Sequence, residues 1–227
     1  KTSLLLQIAD IVSDRGDVVA LFSKEMSRDQ CILRLACRRA RISPQSLRNG
    51  GATYDERQVV AQWCGYFTNR VTLYIDEKKE QTTAEVMAEC QKLKRRSGKI
   101  ALVLGDHLRL FSDRNENEVL RLGKISRGWK VIAGELNTRS VVAAQLNRGL
   151  ESRGDDNRRP TLPDLRGSGQ IEEDADNVFG LYRPGYYDRN SDNKTVEIIT
   201  LKFRDGDAAS VTEMDFDSRF MSFERKT

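Results

Sequence analysis

The feature that most constrains this chain is a regular alternation of helix-like and strand-like segments between residues 3 and 145. Residues 3–14 carry apolar side chains on most faces, which predicts a helix buried on several sides. Short apolar runs follow at intervals, and they predict strands that are buried on both faces, as in a parallel sheet. The alternation therefore predicts an α/β fold in which helices cover a mostly parallel central sheet. The predicted strands span residues 17–23, 71–76, 99–106 and 139–145.

The remaining segments complete this prediction. Residues 27–70 predict a helix in pieces, with breaks near Ser43-Pro44 and near Asn49-Gly50-Gly51. Two longer helices are predicted over residues 82–98 and 116–137. After residue 170 the pattern changes to short strand-like runs, and we expect these to extend or edge the same sheet. They span residues 177–183, 195–203, 209–216 and 219–224.

The composition fits one globular domain over residues 1–227, since no linker rich in Pro, Gly or Ser divides the chain. Hydrophobic residues make up 38% and charged residues 32%, which excludes a disordered chain. The net charge of +4 permits a polyanionic partner without requiring one. Four scattered cysteines and a single histidine favour reduced thiols over a zinc site or a disulfide framework. No apolar run reaches the roughly 20 residues of a membrane span, so we expect no membrane partner.

Polar residues at the ends of the predicted strands are the first candidates for a site, because ligands of parallel sheets bind there. Glu25 follows the first strand, Asp106 ends the third, Gln145 ends the fourth, and Lys1-Thr2 precedes the first helix. An Asp at a strand tip suits Mg²⁺, and Lys-Thr suits the end of a GxxxxGK[ST] phosphate loop. A Glu beside phosphates can orient an attacking water.

Each of these residues alone also has a structural interpretation. Asp106 would cap a loop, Glu25 would be a surface residue near a helix start, and Gln145 would make a strand-end hydrogen bond. Lys-Thr pairs are common. The order of these candidate residues along the chain nevertheless matches that of a single phosphate-binding site, which favours the functional interpretation.

Longer stretches resemble the motor domain of the DnaB family of replicative hexameric DNA helicases. The most specific is RRPTLPDLRGSGQIEEDADNVFGLYRPGYY at 158–187. The resemblance runs in the family's order over nearly the whole chain, and it implies a RecA-like P-loop ATPase core with extra C-terminal strands. The other stretches are VVALFSKEMS (18–27), IALVLGDHLRL (100–110), AAQLNRGLESR (143–153) and EIITLKFRDGDAASVTEMDF (197–216).

The resemblance implies an ATP-driven motor that hydrolyses ATP between ring subunits and translocates on single-stranded DNA during replication. Lys1 and Thr2 would bind the phosphates of ATP, and Thr2 and Asp106 would bind Mg²⁺. Glu25 would be the catalytic base, and Gln145 would couple the γ-phosphate to the DNA-binding loops.

Two further groups of residues have implied roles outside the chain's own ATP site. Lys202 and Arg204 would act in trans, in the ATP site of the neighbouring subunit, which requires a ring, in this family a hexamer. Arg166, Gly167 and Gly169 would grip the phosphates of one DNA strand in the central channel. The resemblance also implies the cytoplasm of a bacterial or phage-infected cell, and it allows a primase and a helicase loader as partners.

The sequence departs from the family pattern in places. His107, Leu108 and Arg109 follow the Asp where an aromatic residue, Leu and Gln are usual, and Gly167 stands where Glu is frequent. We expect a packing or supporting role for His107. The chain begins at the end of the phosphate loop, so we expect a domain truncated there that binds ATP poorly as it stands.

Two alternative functions are weighed against the motor. A RecA- or RadA-type recombination ATPase would share the ATP residues but not the string DLRGSGQIEEDAD. A catalytically silent RecA-fold binding subunit would tolerate loss of Glu25, Asp106, Gln145 or Arg204, all of which are present. Both comparisons favour the motor.

Overall fold

The predicted alternation is present in the computed structural model, which describes residues 1–147, 149, 153, 158–165, 168–187 and 193–226. Seven α-helices and eight strands lie in the described residues, with short 3-10 helices at Leu108–Leu110, Leu162–Asp164 and Pro184–Tyr186. The helices are α1 (Thr2–Asp14), α2 (Arg28–Ala40), α3 (Pro44–Arg48), α4 (Tyr54–Thr68), α5 (Thr83–Ser97), α6 (Glu118–Leu136) and α7 (Ser168–Asp174). The strands are β1 (Val19–Ser23), β2 (Leu73–Asp76), β3 (Leu102–Asp106), β4 (Arg139–Val142), β5 (Asn177–Tyr182), β6 (Thr195–Phe203), β7 (Val211–Asp217) and β8 (Ser222–Arg225).

The first four strands form one parallel sheet in the order β2-β1-β3-β4. This first sheet confirms the prediction of a parallel sheet covered by helices. The pairing register places Ser23 opposite Asp106, so the carboxyl ends of β1 and β3 lie side by side. That edge is where a parallel sheet presents a binding site.

The helical breaks predicted between residues 27 and 70 are confirmed, and local chemistry explains them. Ser43 caps α3, and Pro44 stands at its first turn, where the missing N–H is not needed. Thr53 caps α4 in a capping box, in which its hydroxyl accepts from the Glu56 amide and its own amide donates to the Glu56 carboxylate. The segment from residue 28 to residue 68 therefore folds as three separate helices, α2, α3 and α4.

The C-terminal strands correct one prediction. They do not extend or edge the first sheet; among the described residues β5 to β8 form a second, antiparallel sheet in the order β5-β6-β7-β8. Neighbours in this second sheet are consecutive in the chain, and antiparallel neighbours need only short connections. Gln7 of α1 joins the two parts, because its amide donates to the Phe223 carbonyl and accepts from the Phe223 amide at 2.7 and 2.8 Å.

The hydrophobic core lies on both faces of the first sheet, because successive side chains of a strand point to opposite faces. Leu21 and Leu104 pack with α1, α2 and α4 on one face. Phe22 and Val103 pack with α5 and α6 on the other face, where Trp129 is 3% exposed.

Gly105 and Gly134 both stand inside regular elements, and they differ in their explanation. A Cβ on Gly105 would lie 2.6 Å from the Trp129 ring, so only glycine fits beside the indole in β3. Gly134 in α6 has open space around it, and no contact explains it. Among the described helices, none is long and apolar enough to cross a membrane.

Candidate active site

The carboxyl edge of the first sheet brings Glu25 and Asp106 together. Asp106 ends β3, and Glu25 stands two residues after the end of β1. The Lys24 amide donates to the Asp106 carbonyl at 2.8 Å, which ties the turn after β1 to the tip of β3. Sequence reasoning placed both residues at this edge, and the hydrogen bond adds that the residue before Glu25 is bonded to the backbone of Asp106.

Asp106 is buried, and one of its two carboxylate oxygens lacks a hydrogen-bond partner in the described part of the chain. The residue is 2% exposed, and its Oδ2 accepts no hydrogen bond from the described part of the chain. Buried polar atoms normally have partners, and a buried charge is costly without one. The geometry therefore fits an atom that a bound cation or a cation-bound water would satisfy.

Lys1 lies within the field of these two carboxylates. Burial lowers the pKa of Lys1, and the negative charges of Glu25 and Asp106 oppose that change. Lys1 is the N-cap of α1 and uses no side-chain cap, while its carbonyl accepts from the amides of Leu4 and Leu5. The start of α1 at Thr2, with no acidic residue in its first turn, suits an anion such as a phosphate.

His107 contacts Glu25 directly. The His107 Nε2 lies 3.1 Å from the Glu25 Oε1, and the side-chain exposures are 8% and 47%. Burial lowers the pKa of His107, and the charge of Lys1 acts in the same direction. The Asp106–His107 peptide bond is cis. Sequence reasoning assigned His107 a supporting role but did not identify Glu25 as its partner.

Gln145 lies beyond the same edge of the sheet. The Ala143 amide donates to the Gly105 carbonyl, and the Leu108 amide donates to the Ala143 carbonyl, both at 2.9 Å. These bonds keep the chain after β4 alongside the end of β3. The exposed Gln145 follows two residues later.

Lys202 and Arg204 lie elsewhere, at the end of β6. Lys202 donates from Nζ to the Glu172 carbonyl at 2.5 Å, and Arg204 donates to Asp176 at 2.8 Å. The Arg204 side chain is 61% exposed. Within the described residues, no hydrogen bond or ion pair joins either cation to Glu25, to Asp106 or to Lys1.

The predicted DNA-binding loop is described only in part. Arg166 and Gly167 lie outside the described residues. Gly169 is exposed in α7, and a Cβ there would meet no atom within 4 Å.

Lys24 is a buried residue that sequence reasoning missed. It is 4% exposed, and its Nζ donates to the Lys78 carbonyl at 2.6 Å and to Gln81 at 2.5 Å, with Asp76 at 3.6 Å. Lys79 donates to the Lys24 carbonyl at 2.9 Å. These bonds hold the backbone next to Glu25. A Lys between Ser23 and Glu25 carries no local signal of burial.

The donor set at this edge fits Mg²⁺ bound together with a nucleotide. Among the residues that the structure describes, no three His, Cys, Asp or Glu side chains converge as metal ligands. Mg²⁺ is commonly held by one or two protein oxygens together with substrate phosphates and water. Asp106 at this edge and the hydroxyl of Thr2, the first residue of α1, are the oxygen groups that would hold it.

Comparisons with known proteins identify the family of this chain. Residues 1–225 match the family described as "DnaB-like helicase C terminal domain". The replicative DNA helicase DnaC of Bacillus subtilis is 38% identical over 217 residues, covering 93% of this chain and 47% of that protein. DnaB of Geobacillus stearothermophilus is 37% identical over 216 residues, covering 93% and 47%. The chain thus spans about half the length of the curated relatives it matches.

A solved structure shows the same fold. It is that of a DnaB-like replicative helicase, described together with its interactions with primase. It superimposes on this chain with a TM-score of 0.90 at 30% identity, covering 99% of this chain and 54% of that one. The expected RecA-like core is confirmed, and the chain belongs to the family of DnaB-like helicase C-terminal domains.

Proposed function

We propose that this chain is the motor domain of a replicative DNA helicase, in which ATP hydrolysis drives movement along single-stranded DNA. Family membership implies a nucleotide-binding site. The observation that carries the proposal is the buried Asp106, whose Oδ2 has no hydrogen-bond partner among the described residues and whose charge acts on Lys1 together with that of Glu25. Two acidic residues and a lysine near the start of a helix suit the binding and hydrolysis of ATP with Mg²⁺.

In the proposed reaction, each residue at this edge has a separate role. Lys1 and the start of α1 supply positive charge for the phosphates, and Thr2 and Asp106 supply oxygen ligands for Mg²⁺. Bound Mg²⁺ would neutralise charge that develops on the phosphate oxygens. In this proposal Glu25 accepts a proton from the attacking water, and Gln145, exposed beyond the same edge, would contact the γ-phosphate.

A ring of subunits is part of the proposal. Arg204 and Lys202 lie away from the chain's own Asp106, and Arg204 is largely exposed. This placement supports a role in the site of a neighbouring copy, where an arginine stabilises charge on the phosphoryl group in transfer. We propose a hexamer in the bacterial or phage-infected cytoplasm that binds single-stranded DNA through the loop containing Arg166, Gly167 and Gly169. A primase and a loader are proposed as further partners.

The test is Glu25→Gln in the full-length protein. We expect ATP turnover to fall roughly 10²- to 10⁴-fold, the usual contribution of a positioned general base, while ATP binding is retained. Glu135→Gln, at an exposed position in α6, is the matched control and should leave turnover unchanged. Wild-type turnover in Glu25→Gln would refute the assignment of the base.

A strand-displacement assay separates the motor from the alternative of a recombination ATPase. The proposed motor separates duplex DNA in an ATP-dependent manner, and Glu25→Gln abolishes this. ATP hydrolysis with strand exchange but without strand separation would favour a recombination ATPase instead.

A further inference from the structure

The contact between His107 and Glu25 joins a buried side chain to an exposed one. His107 is 6% exposed, whereas the Glu25 side chain is 47% exposed, and the two atoms lie 3.1 Å apart. An exposed glutamate otherwise samples several rotamers. A buried partner restricts it to the rotamers that keep this contact.

The backbone around His107 makes the imidazole a fixed point. The His107 carbonyl accepts from the Leu110 amide at 3.0 Å, and the next amide, that of Leu108, donates to Ala143 at 2.9 Å. The preceding carbonyl, that of Asp106, accepts from the Lys24 amide at 2.8 Å. The imidazole is thus attached to the rigid edge of the first sheet, and Glu25 lies in the turn beside it.

The chemistry of the pair fixes which atom donates. A carboxylate oxygen without a hydrogen can only accept, so a hydrogen bond between the two groups would have to be donated by the His107 Nε2–H. Such a bond would occupy Glu25 Oε1 and leave Oε2 to accept a proton. In the neutral form of the ring, Nδ1 is then an acceptor, and it has no partner among the described residues.

We propose that His107 is a positioning residue whose Nε2–H holds Glu25 Oε1, so that Oε2 faces the attacking water. This inference rests on the proposed function, in which Glu25 is the base. The value of the contact lies in geometry, because a misplacement of about 1 Å in a reacting group costs on the order of 100-fold in rate.

The experiment compares three substitutions of His107 in the full-length protein, with ATP turnover measured as kcat and KM. His107→Leu removes the donor, and we expect kcat to fall roughly 10- to 100-fold with little change in the KM for ATP. His107→Gln places an amide N–H near the position of Nε2, and it should restore kcat to within a few-fold of wild type. His107→Asn is polar but too short to reach Glu25, so it should be as slow as His107→Leu.

Thermal melting and ring assembly of each variant identify any loss of folding, and the Gln and Asn variants decide the question if His107→Leu does not fold. Equal kcat for Gln and Asn would overturn the proposal, since only Gln has the donor within reach. An unchanged kcat in all variants, or a change confined to KM, would overturn it as well.

Glu25→Gln separates this inference from the proposed function. If Glu25→Gln turns over ATP at the wild-type rate, the proposed function has the wrong base and the inference fails with it. If Glu25→Gln is inactive but the His107 variants keep wild-type kcat, only the positioning role is overturned. In the Glu25→Gln background, we expect His107→Leu to cause no further loss in the residual rate.

Discussion

Asp10→Asn tests what holds the helix that begins at the proposed phosphate site. Asp10 lies in α1 and is 0% exposed. Its carboxylate accepts from Arg39 at 2.7 and 2.9 Å, from Arg70 at 3.0 Å and also from Arg38. The three arginines lie in α2 and just after α4, so a single carboxylate joins these elements to α1.

The expected loss of stability follows from the burial of the Asp10 carboxylate. The substitution removes the negative charge and leaves three guanidinium groups facing a neutral amide. Burial already lowers the pKa of Arg38 to about 10, which shows that its environment disfavours an uncompensated charge. Breaking a buried ion pair from one side costs about 3–5 kcal/mol. In a domain of this size that corresponds to a decrease in Tm of about 6–20 °C.

The assay is thermal unfolding of the full-length protein, wild type and variant, followed by ATP binding at a temperature where both are folded. Asp14→Asn is the matched control, because Asp14 belongs to the same arginine cluster but its side chain is 42% exposed. Exposed ion pairs contribute at most about 1 kcal/mol. Equal losses for the two variants would refute the argument from burial. Because α1 begins at Thr2, a displaced helix should also weaken ATP binding.

Two further predictions concern exposed groups. Hydrogen bonds from Tyr66 and Arg39 hold the pKa of Asp14 at about 2, below the usual 3.8. Its contribution to stability is therefore complete above about pH 4 and is lost as the pH falls toward 2, so Asp14→Asn should flatten the dependence of Tm on pH in that window. A slope equal to that of the wild type would contradict this. Arg204→Ala subunits mixed into wild-type rings should reduce ATP turnover by more than their share, whereas strictly proportional activity would exclude a role in trans.

Much of the fold follows from local patterns. The run Val19–Ser23 is buried throughout, and such a run is recognisable because both of its faces need apolar side chains. The breaks at Ser43-Pro44 and before Thr53 follow from capping chemistry that involves only neighbouring residues. Asp106 was found at a strand end for the same reason: strand ends can be located from the sequence, and ligands bind there.

What sequence reasoning missed depends on residues far apart in the chain. The second sheet is the exception, because β5 to β8 pair with their neighbours in the chain, but the pattern of a single strand does not say which sheet it joins. Gly105 is unfavourable in a strand by its own propensity, and only the ring of Trp129 against it explains its presence. The same holds for Lys24, whose partners lie more than 50 residues away, at Lys78 and Gln81.

The two basic residues proposed to act in trans are not equally free to do so. Arg204 pairs with Asp176 at an exposed position, and exposed pairs contribute little to stability. Asp176 also pairs with Lys130, so it keeps a partner when Arg204 leaves. Lys202 instead donates to the partly buried Glu172 carbonyl, and its departure would leave that acceptor without this bond. Of the two residues in the proposed role, Arg204 is therefore the one that could leave its present contacts at less cost, while Lys202 holds the end of β6 against α7.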